Sequence, residues 1–119
     1  MLSGPVAFRA PPNATAEEIA QVKKYIEGCN AALAAGALSS TGRVSTQGSL
    51  RRQASRAAAK EKQKGDYSGH VGHVPDTTWT GTPQPYSWMD LTPKVNTSLG
   101  GQVGGYPLGY MPTRFIFKE

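Results

Sequence analysis

Residues 15–36 read TAEEIAQVKKYIEGCNAALAAG and form the clearest helical pattern of the chain. Thr15 and Glu18 have the spacing of a capping box, in which each side chain bonds the backbone N–H of the other residue. Apolar side chains then recur every three or four residues, at Ile19, Val22, Ile26, Cys29 and Leu33. This stripe predicts an amphipathic helix with one buried face, ending at Gly36. Cys29 lies on the stripe and is therefore predicted to be a small core residue.

Two further helices are predicted on either side of the middle of the chain. One begins at a cap formed by Ser45 or Thr46 and stops at Gly65, and its thin apolar face consists mostly of alanine. The other begins with Thr92 as N-cap and Pro93 in the first position, an arrangement that suits the start of a helix. We expect this third helix to stop at Gly100-Gly101.

The segments outside these helices lack a regular period. Residues 1–14 contain three prolines and are predicted to be an irregular lead-in or linker, followed by one functional domain over residues 15–119. Residues 65–119 are rich in Gly, Pro and aromatic side chains, and the aromatic content argues against disorder. The last residues, Arg114–Phe117, are expected to form a short strand or an extended tail. The predicted fold class is therefore mainly α: a small helical domain with an irregular C-terminal half.

The net charge of +5 is concentrated in one segment of the 119-residue chain. Residues 43–64 hold seven basic side chains and one acidic one, and the remainder is nearly neutral. Such local positive density favours contact with phosphates, although a solvated helix face or a basic linker has the same composition. The residues predicted to bind nucleic acid are Arg43, Arg51, Arg52, Arg56 and Lys60.

Several classes of protein are excluded by what the sequence lacks. A single cysteine permits neither an internal disulfide nor a Cys-rich zinc site. No phosphate-binding loop or dinucleotide-binding glycine motif is present. We also expect no secretory signal peptide and no stable membrane insertion, because no apolar run reaches the ~18 residues of a spanning helix.

Both histidines of the chain and an aspartate fall within seven residues, at His70, His73 and Asp76. Imidazole accepts a proton near neutral pH, so His73 is predicted to be a general base or a metal ligand. Asp76 is predicted to hold a divalent ion or to orient His73. Mg²⁺ is the expected ion because it prefers oxygen ligands and uses only one or two protein carboxylates. His70 is a candidate supporting residue.

The glycines and the proline around this cluster predict a rigid, irregular loop, which is a good mount for catalytic side chains. A structural alternative stays open: Asp76 caps a helix that begins near Pro75, and the histidines bond backbone carbonyls. Ser45 and Gln102 are two further candidate supporting residues for a polar site, with turn and cap chemistry as their alternative.

Two stretches together resemble a known family. They are STGRVSTQG at residues 40–48, followed by Leu50-Arg51, and GHVPDTTW at residues 72–79. This combination resembles the HxxD-motif nuclease toxins, which are C-terminal domains of bacterial polymorphic toxins and include DNase effectors of type VI secretion. The resemblance covers residues 15–118.

The resemblance implies a mostly α-helical fold and a metal-dependent endonuclease (a DNase) with His73 and Asp76 at the catalytic positions. Its implied partners are DNA, a cognate immunity protein, and a secretion carrier or chaperone for the full-length toxin. It further implies a secreted effector without a signal peptide that acts in the cytoplasm of the target cell. Two other functions stay open: a non-catalytic basic module that binds nucleic acid, and a toxin RNase.

Overall fold

Two small β-sheets and four α-helices make up the part of the chain that the computed structural model describes, residues 2–119. Helices account for 44% of the chain and strands for 19%, so the prediction of a mainly α fold is wrong and the fold is a mixture of α and β. In chain order the elements are β1 (Ser3–Phe8), α1 (Ala16–Ala34), α2 (Ser49–Lys64), β2 (His70–Val74), α3 (Thr77–Thr80), β3 (Ser87–Leu91), α4 (Pro93–Gln102), a 3-10 turn (Val103–Gly105) and β4 (Met111–Phe117).

The capping box and the apolar stripe of α1 confirm the first predicted helix. The N–H of Glu18 donates to Thr15 Oγ1 at 3.1 Å, and the N–H of Thr15 donates to Glu18 Oε1 at 2.9 Å. The stripe residues Val22, Ile26 and Cys29 are buried, as the sequence predicted. The helix thus presents one apolar face to the rest of the domain.

Strand β1 lies in the segment that was predicted to be irregular, and this prediction is wrong for Ser3–Phe8. The strand pairs in parallel with β4, from Ser3 opposite Met111 to Phe8 opposite Phe117. Its partner lies more than 100 residues later in the chain, so no local turn signals the pairing. Val6 and Phe8 are fully buried, which makes this strand part of the main core.

Strand β2 replaces the predicted irregular loop over His70–Val74 and pairs antiparallel with β3. The two strands are not joined by a tight turn, because α3 and a loop lie between them. The sequence therefore lacks the short turn that marks a β-hairpin. A Cβ atom at Gly69 or Gly72 would collide with Leu91, so these glycines allow the two strands to approach closely.

The two remaining long helices begin and end close to their predicted bounds. Helix α2 stops at Gly65 as predicted, but its N-cap is Gly48 instead of Ser45 or Thr46. Helix α4 has the predicted N-cap, since the N–H of Val95 donates to Thr92 Oγ1 at 3.2 Å. It continues through Gly100-Gly101 to Gln102, three residues further than a helix that ends at Leu99.

The hydrophobic core lies where α1 packs against the β1–β4 pair, β2, β3 and α4. Trp79 and Phe115 are almost completely buried within it and meet edge to face, with ring centroids 6.0 Å apart. Helix α2 adds little to this core, because Ala54 is the one buried residue among its sixteen. Among residues 2–119, no helix combines the length and the apolar character needed to cross a membrane.

Candidate active site

A polar cavity of about 370 Å³ lies between α1, α2, β2 and α4. It brings together three of the residues predicted from sequence, His73, Asp76 and Arg51. The polar side chains that line it are Tyr25, Arg51, Ser55, His73, Asp76 and Asn96. The cavity thus joins a base, an acid and a cation on one surface that is open to a ligand.

His73 is held on β2 by its cross-strand neighbour Trp88, whose ring centroid lies 4.6 Å from that of the imidazole. The Nε2 atom of His73 is enclosed and has no hydrogen-bond partner. Burial lowers the pKa of the imidazole, while the charge of Asp76 and the carbonyl groups of Pro83 and Ala54 act in the opposite direction. Burial therefore favours the neutral form of the ring, which is the form that a general base requires.

The lowered pKa of His73 has a consequence for the pH dependence of stability. Below the ordinary pKa of 6.5, the unfolded chain binds a proton that the folded protein does not yet bind. We expect the free energy of unfolding to be highest above pH 6.5 and to fall as the pH drops through 6.5 toward the lower pKa of the folded protein. Urea unfolding at about pH 7.5 and about pH 5.5 measures this difference, and His73→Gln should reduce it. An imidazole NMR titration with a midpoint above 6.5 would contradict the expectation.

Asp76 serves as the N-cap of α3. Its Oδ1 atom accepts a hydrogen bond from the N–H of Thr78 at 2.9 Å, and its own N–H donates to the hydroxyl oxygen of Tyr25 at 3.1 Å. The capping alternative is therefore correct, and the carboxylate also faces the cavity. Within residues 2–119, Asp76 forms no hydrogen bond or ion pair with His73. No direct bond supports an orienting role for Asp76, so the role that fits the geometry is to place negative charge in the cavity.

His70 lies near the cavity without lining it. Its Nδ1 atom is 3.0 Å from Nδ2 of Asn96, which lines the cavity. An amide N–H can only donate, so this bond assigns Nδ1 of His70 as the acceptor. His70 therefore contributes by fixing the position of Asn96.

Helix α2 divides the predicted nucleic-acid-binding residues between two surfaces. Arg51 and Ser55, one turn apart, face the His73 cavity. Arg56 and Lys60 line a second groove on another side of the helix. Arg52 is exposed and lines neither of these two surfaces.

Three residues predicted from sequence lie outside the cavity and have bonds of their own. The guanidinium of Arg43 donates to the carbonyl of Tyr106 at 2.9 Å. Ser45 is exposed, and its hydroxyl accepts from the N–H of Gln47 at 3.3 Å. The amide of Gln102 accepts from the N–H of Arg9 at 2.8 Å and donates to the carbonyl of Arg9 at 2.9 Å. Their observed contacts are structural.

The two stretches that carry the family resemblance contact each other in the fold. The N–H of Val44 donates to the carbonyl of Thr78 at 2.8 Å, and the hydroxyl of Thr78 donates to the carbonyl of Val44 at 2.5 Å. Thr78 also bonds the carboxylate of Asp76 through its own N–H. The segment around Val44 therefore supports the turn that positions Asp76.

Sequence reasoning missed Tyr25 and Ser55 as cavity residues. The one-turn spacing from Arg51 is a signal that could have placed Ser55 on the same helix face. Tyr25 carried no such signal, because it adjoins the apolar stripe of α1 and its hydroxyl meets Asp76 only in the folded chain.

The cavity donors fit a magnesium ion better than a zinc ion. No group of three or more His, Cys, Asp or Glu side chains that could hold a metal occurs in residues 2–119, whereas catalytic zinc commonly uses three protein ligands. Mg²⁺ retains several waters and is often held by one or two carboxylates together with substrate phosphates. Asp76 can supply one such carboxylate.

Comparison with known proteins identified no relative of this chain. No protein-family model matches the chain, and no curated protein or solved structure is significantly similar to it.

Proposed function

We propose that the protein is a metal-assisted nuclease that hydrolyses phosphodiester bonds of DNA in the His73 cavity. The observation that carries the proposal is the meeting of His73, Asp76 and Arg51 in one cavity of about 370 Å³. His73 lines the cavity with the part of its ring other than the enclosed Nε2 atom. Arg51 also lines it and forms no ion pair with any residue in the range 2–119.

The reaction needs a nucleophile and stabilisation of negative charge on the phosphate. His73 takes a proton from a water molecule as the water oxygen bonds to phosphorus. The P–O ester bond breaks, and the leaving oxygen departs with the bonding electron pair and is protonated by solvent water, while His73 returns its proton to solvent. Arg51 donates hydrogen bonds to the phosphate oxygens, on which negative charge accumulates. Mg²⁺ held by Asp76 supplies further positive charge at the phosphate when it is bound.

The family resemblance extends this proposal to a biological role. The domain then acts as an antibacterial toxin, a type VI secretion effector, in the cytoplasm of the target cell. Its partners are DNA, a cognate immunity protein, and a secretion carrier or chaperone of the full-length toxin. The basic helix α2 beside the cavity is compatible with a DNA substrate, because phosphate contacts require local positive charge.

Incubation of the protein with plasmid DNA in Mg²⁺ or in EDTA tests the nuclease proposal, with Asp76→Asn as the key variant. Asparagine is also a good N-cap, so this change removes the charge and keeps the acceptor for Thr78. Loss of one charged contact, about 1.5–3 kcal/mol, should raise the Mg²⁺ requirement by about 10–100-fold. Asp66→Asn is the matched control, since Asp66 is exposed and outside the cavity. Cleavage in EDTA, or equal Mg²⁺ requirements of the two variants, would contradict the proposal.

A non-catalytic nucleic-acid-binding module is the second candidate, because α2 carries basic side chains outside the cavity as well as in it. It predicts salt-sensitive DNA binding and intact plasmid under every metal condition. Total RNA degraded in the same assay, with the plasmid left intact, would instead identify an RNase.

A further inference from the structure

A second concave surface lies on the other side of α2 from the His73 cavity, between the helix and the loop at Pro83-Gln84. This groove has a volume of about 420 Å³, and we call it the α2 groove. Three basic side chains line it, at Arg56, Lys60 and Lys64. They are spaced four residues apart, so they form one row along a single helix face.

The three cations of the α2 groove are free of ion pairs. The one ion pair found among residues 2–119 joins Lys94 to Glu18, which lie elsewhere. The acid of the groove, Glu61, accepts a hydrogen bond from the hydroxyl of Tyr67 at 2.7 Å. Glu61 therefore has a partner of its own, and the row of cations faces the groove without a bonded counter-charge.

The spacing of this row suits a nucleic-acid strand. Residues four apart on a helix rise by about 6 Å, which is close to the separation of neighbouring phosphates along a strand. The groove contains no large apolar side chain among its lining residues, whereas protein partners are commonly held by buried aromatic or apolar anchors. The chemistry therefore favours a chain of phosphates over an acidic protein.

The α2 groove and the His73 cavity lie on opposite sides of α2 and share no lining residue. Successive residues turn by about 100° around a helix, so Arg51 and the middle of the basic row, Lys60, point in roughly opposite directions. The buried Ala54 lies on the helix face between them that packs on the rest of the domain. A nucleic acid with one phosphate beside Arg51 therefore reaches the groove only with a more distant part of its backbone.

We propose that the α2 groove binds the phosphate backbone of the nucleic-acid substrate away from the scissile phosphate, with Arg56, Lys60 and Lys64 contacting consecutive phosphates. This rests on the proposed function, because the nucleic acid is the substrate of the His73 cavity. The groove gives affinity without reading sequence, since phosphate contacts carry no base information.

Binding of a fluorescein-labelled DNA duplex of about 20 base pairs, measured by anisotropy in EDTA, tests this proposal. The test variant is Lys60→Gln/Lys64→Gln. The control, Lys24→Gln/Lys62→Gln, removes the same charge at two exposed lysines outside the groove. At about 0.1 M salt the test variant should bind about tenfold more weakly, and its slope of log K against log salt should be shallower by about 1.8, or 0.9 per lost phosphate contact. The control should stay within about twofold of the unmodified protein.

Equally weakened duplex binding in the two double variants would overturn the proposal for the groove, because the effect would then follow net charge alone. Unchanged binding by Lys60→Gln/Lys64→Gln would also overturn it. If polyglutamate competed with the labelled duplex as strongly as unlabelled DNA does, the assignment to nucleic acid would be overturned, because the groove would then bind any polyanion.

Hydrolysis of bis(4-nitrophenyl) phosphate separates this proposal from the nuclease proposal, because this small diester can occupy the His73 cavity without reaching the groove. A Lys60→Gln/Lys64→Gln variant that hydrolyses the diester normally and binds the duplex weakly supports both proposals. Specific loss of duplex binding in a protein that cleaves neither substrate supports the groove and contradicts the nuclease. Equal loss of diester hydrolysis and duplex binding contradicts a groove that acts only on longer substrates.

Discussion

Replacing His73 with glutamine is expected to slow DNA cleavage by about 10²–10⁴-fold, the usual contribution of a general base. Glutamine is polar and similar in size, but it cannot take a proton from water at neutral pH. The ring it replaces lies beside Trp88 and lines the polar cavity with Asp76. Initial rates of plasmid nicking in Mg²⁺ measure the effect.

Two comparisons make the result specific. The thermal midpoint of His73→Gln shows whether the fold survives the change. His70→Gln should lose less activity, because His70 reaches the cavity only through its bond with Asn96. A folded His73→Gln protein that cleaves at the original rate would rule out His73 as the base.

Phe8→Ala is expected to lower the free energy of unfolding by about 3–5 kcal/mol, the usual cost of truncating a buried phenylalanine. Phe8 is fully buried. Its ring meets Tyr25 edge to face at 5.5 Å and stacks on Phe115 at 6.3 Å. Because α1 and β4 both lose contacts, the cavity left behind cannot close by a local shift. Urea denaturation with linear extrapolation measures the loss.

Leu2→Ala is the matched control for Phe8→Ala. Leu2 is 62% exposed, so this truncation at the same end of the chain should change stability by no more than about 0.5 kcal/mol. A loss below about 1 kcal/mol for Phe8→Ala would mean that β1 is not part of the core in solution.

The helices could be predicted because their signals are local. Thr15 with Glu18, Thr92 with Pro93, and Gly65 each act within a few residues of the helix end that they define. Short-range hydrogen bonds and backbone preferences decide such boundaries. The predicted start of α2 was wrong for the same reason. Its N-cap, Gly48, makes no side-chain hydrogen bond, so no local signal marks this helix end.

The expected short strand at Arg114–Phe117 is the end of β4, but the pairing of the sheets could not be predicted because each strand needs a partner that is distant in the chain. The segment SGPVAF at residues 3–8 contains glycine and proline, which are unfavourable in strands. It becomes a strand because it pairs with Met111–Phe117. The strand His70–Val74 likewise depends on Ser87–Leu91, and an intervening helix hides that relation from any local pattern.

For the candidate site too, only the local part could be predicted from the sequence. His73 and Asp76 are three residues apart, and the cavity contains both. Arg43 was chosen for its charge and its place in the STGRVSTQG stretch, and its guanidinium instead bonds a backbone carbonyl. Local composition identifies charged residues, but only the tertiary fold determines which of them face the same cavity.

The parallel pairing of β1 and β4 also determines how the domain bears tension. Ser3, where β1 begins, and Phe117, where β4 ends, lie at opposite ends of this two-stranded pair. A pull applied to the two ends of the chain therefore acts along the strands and slides one past the other. The hydrogen bonds between them then share the load and must break together, whereas in a hairpin pulled open at its ends they break one at a time.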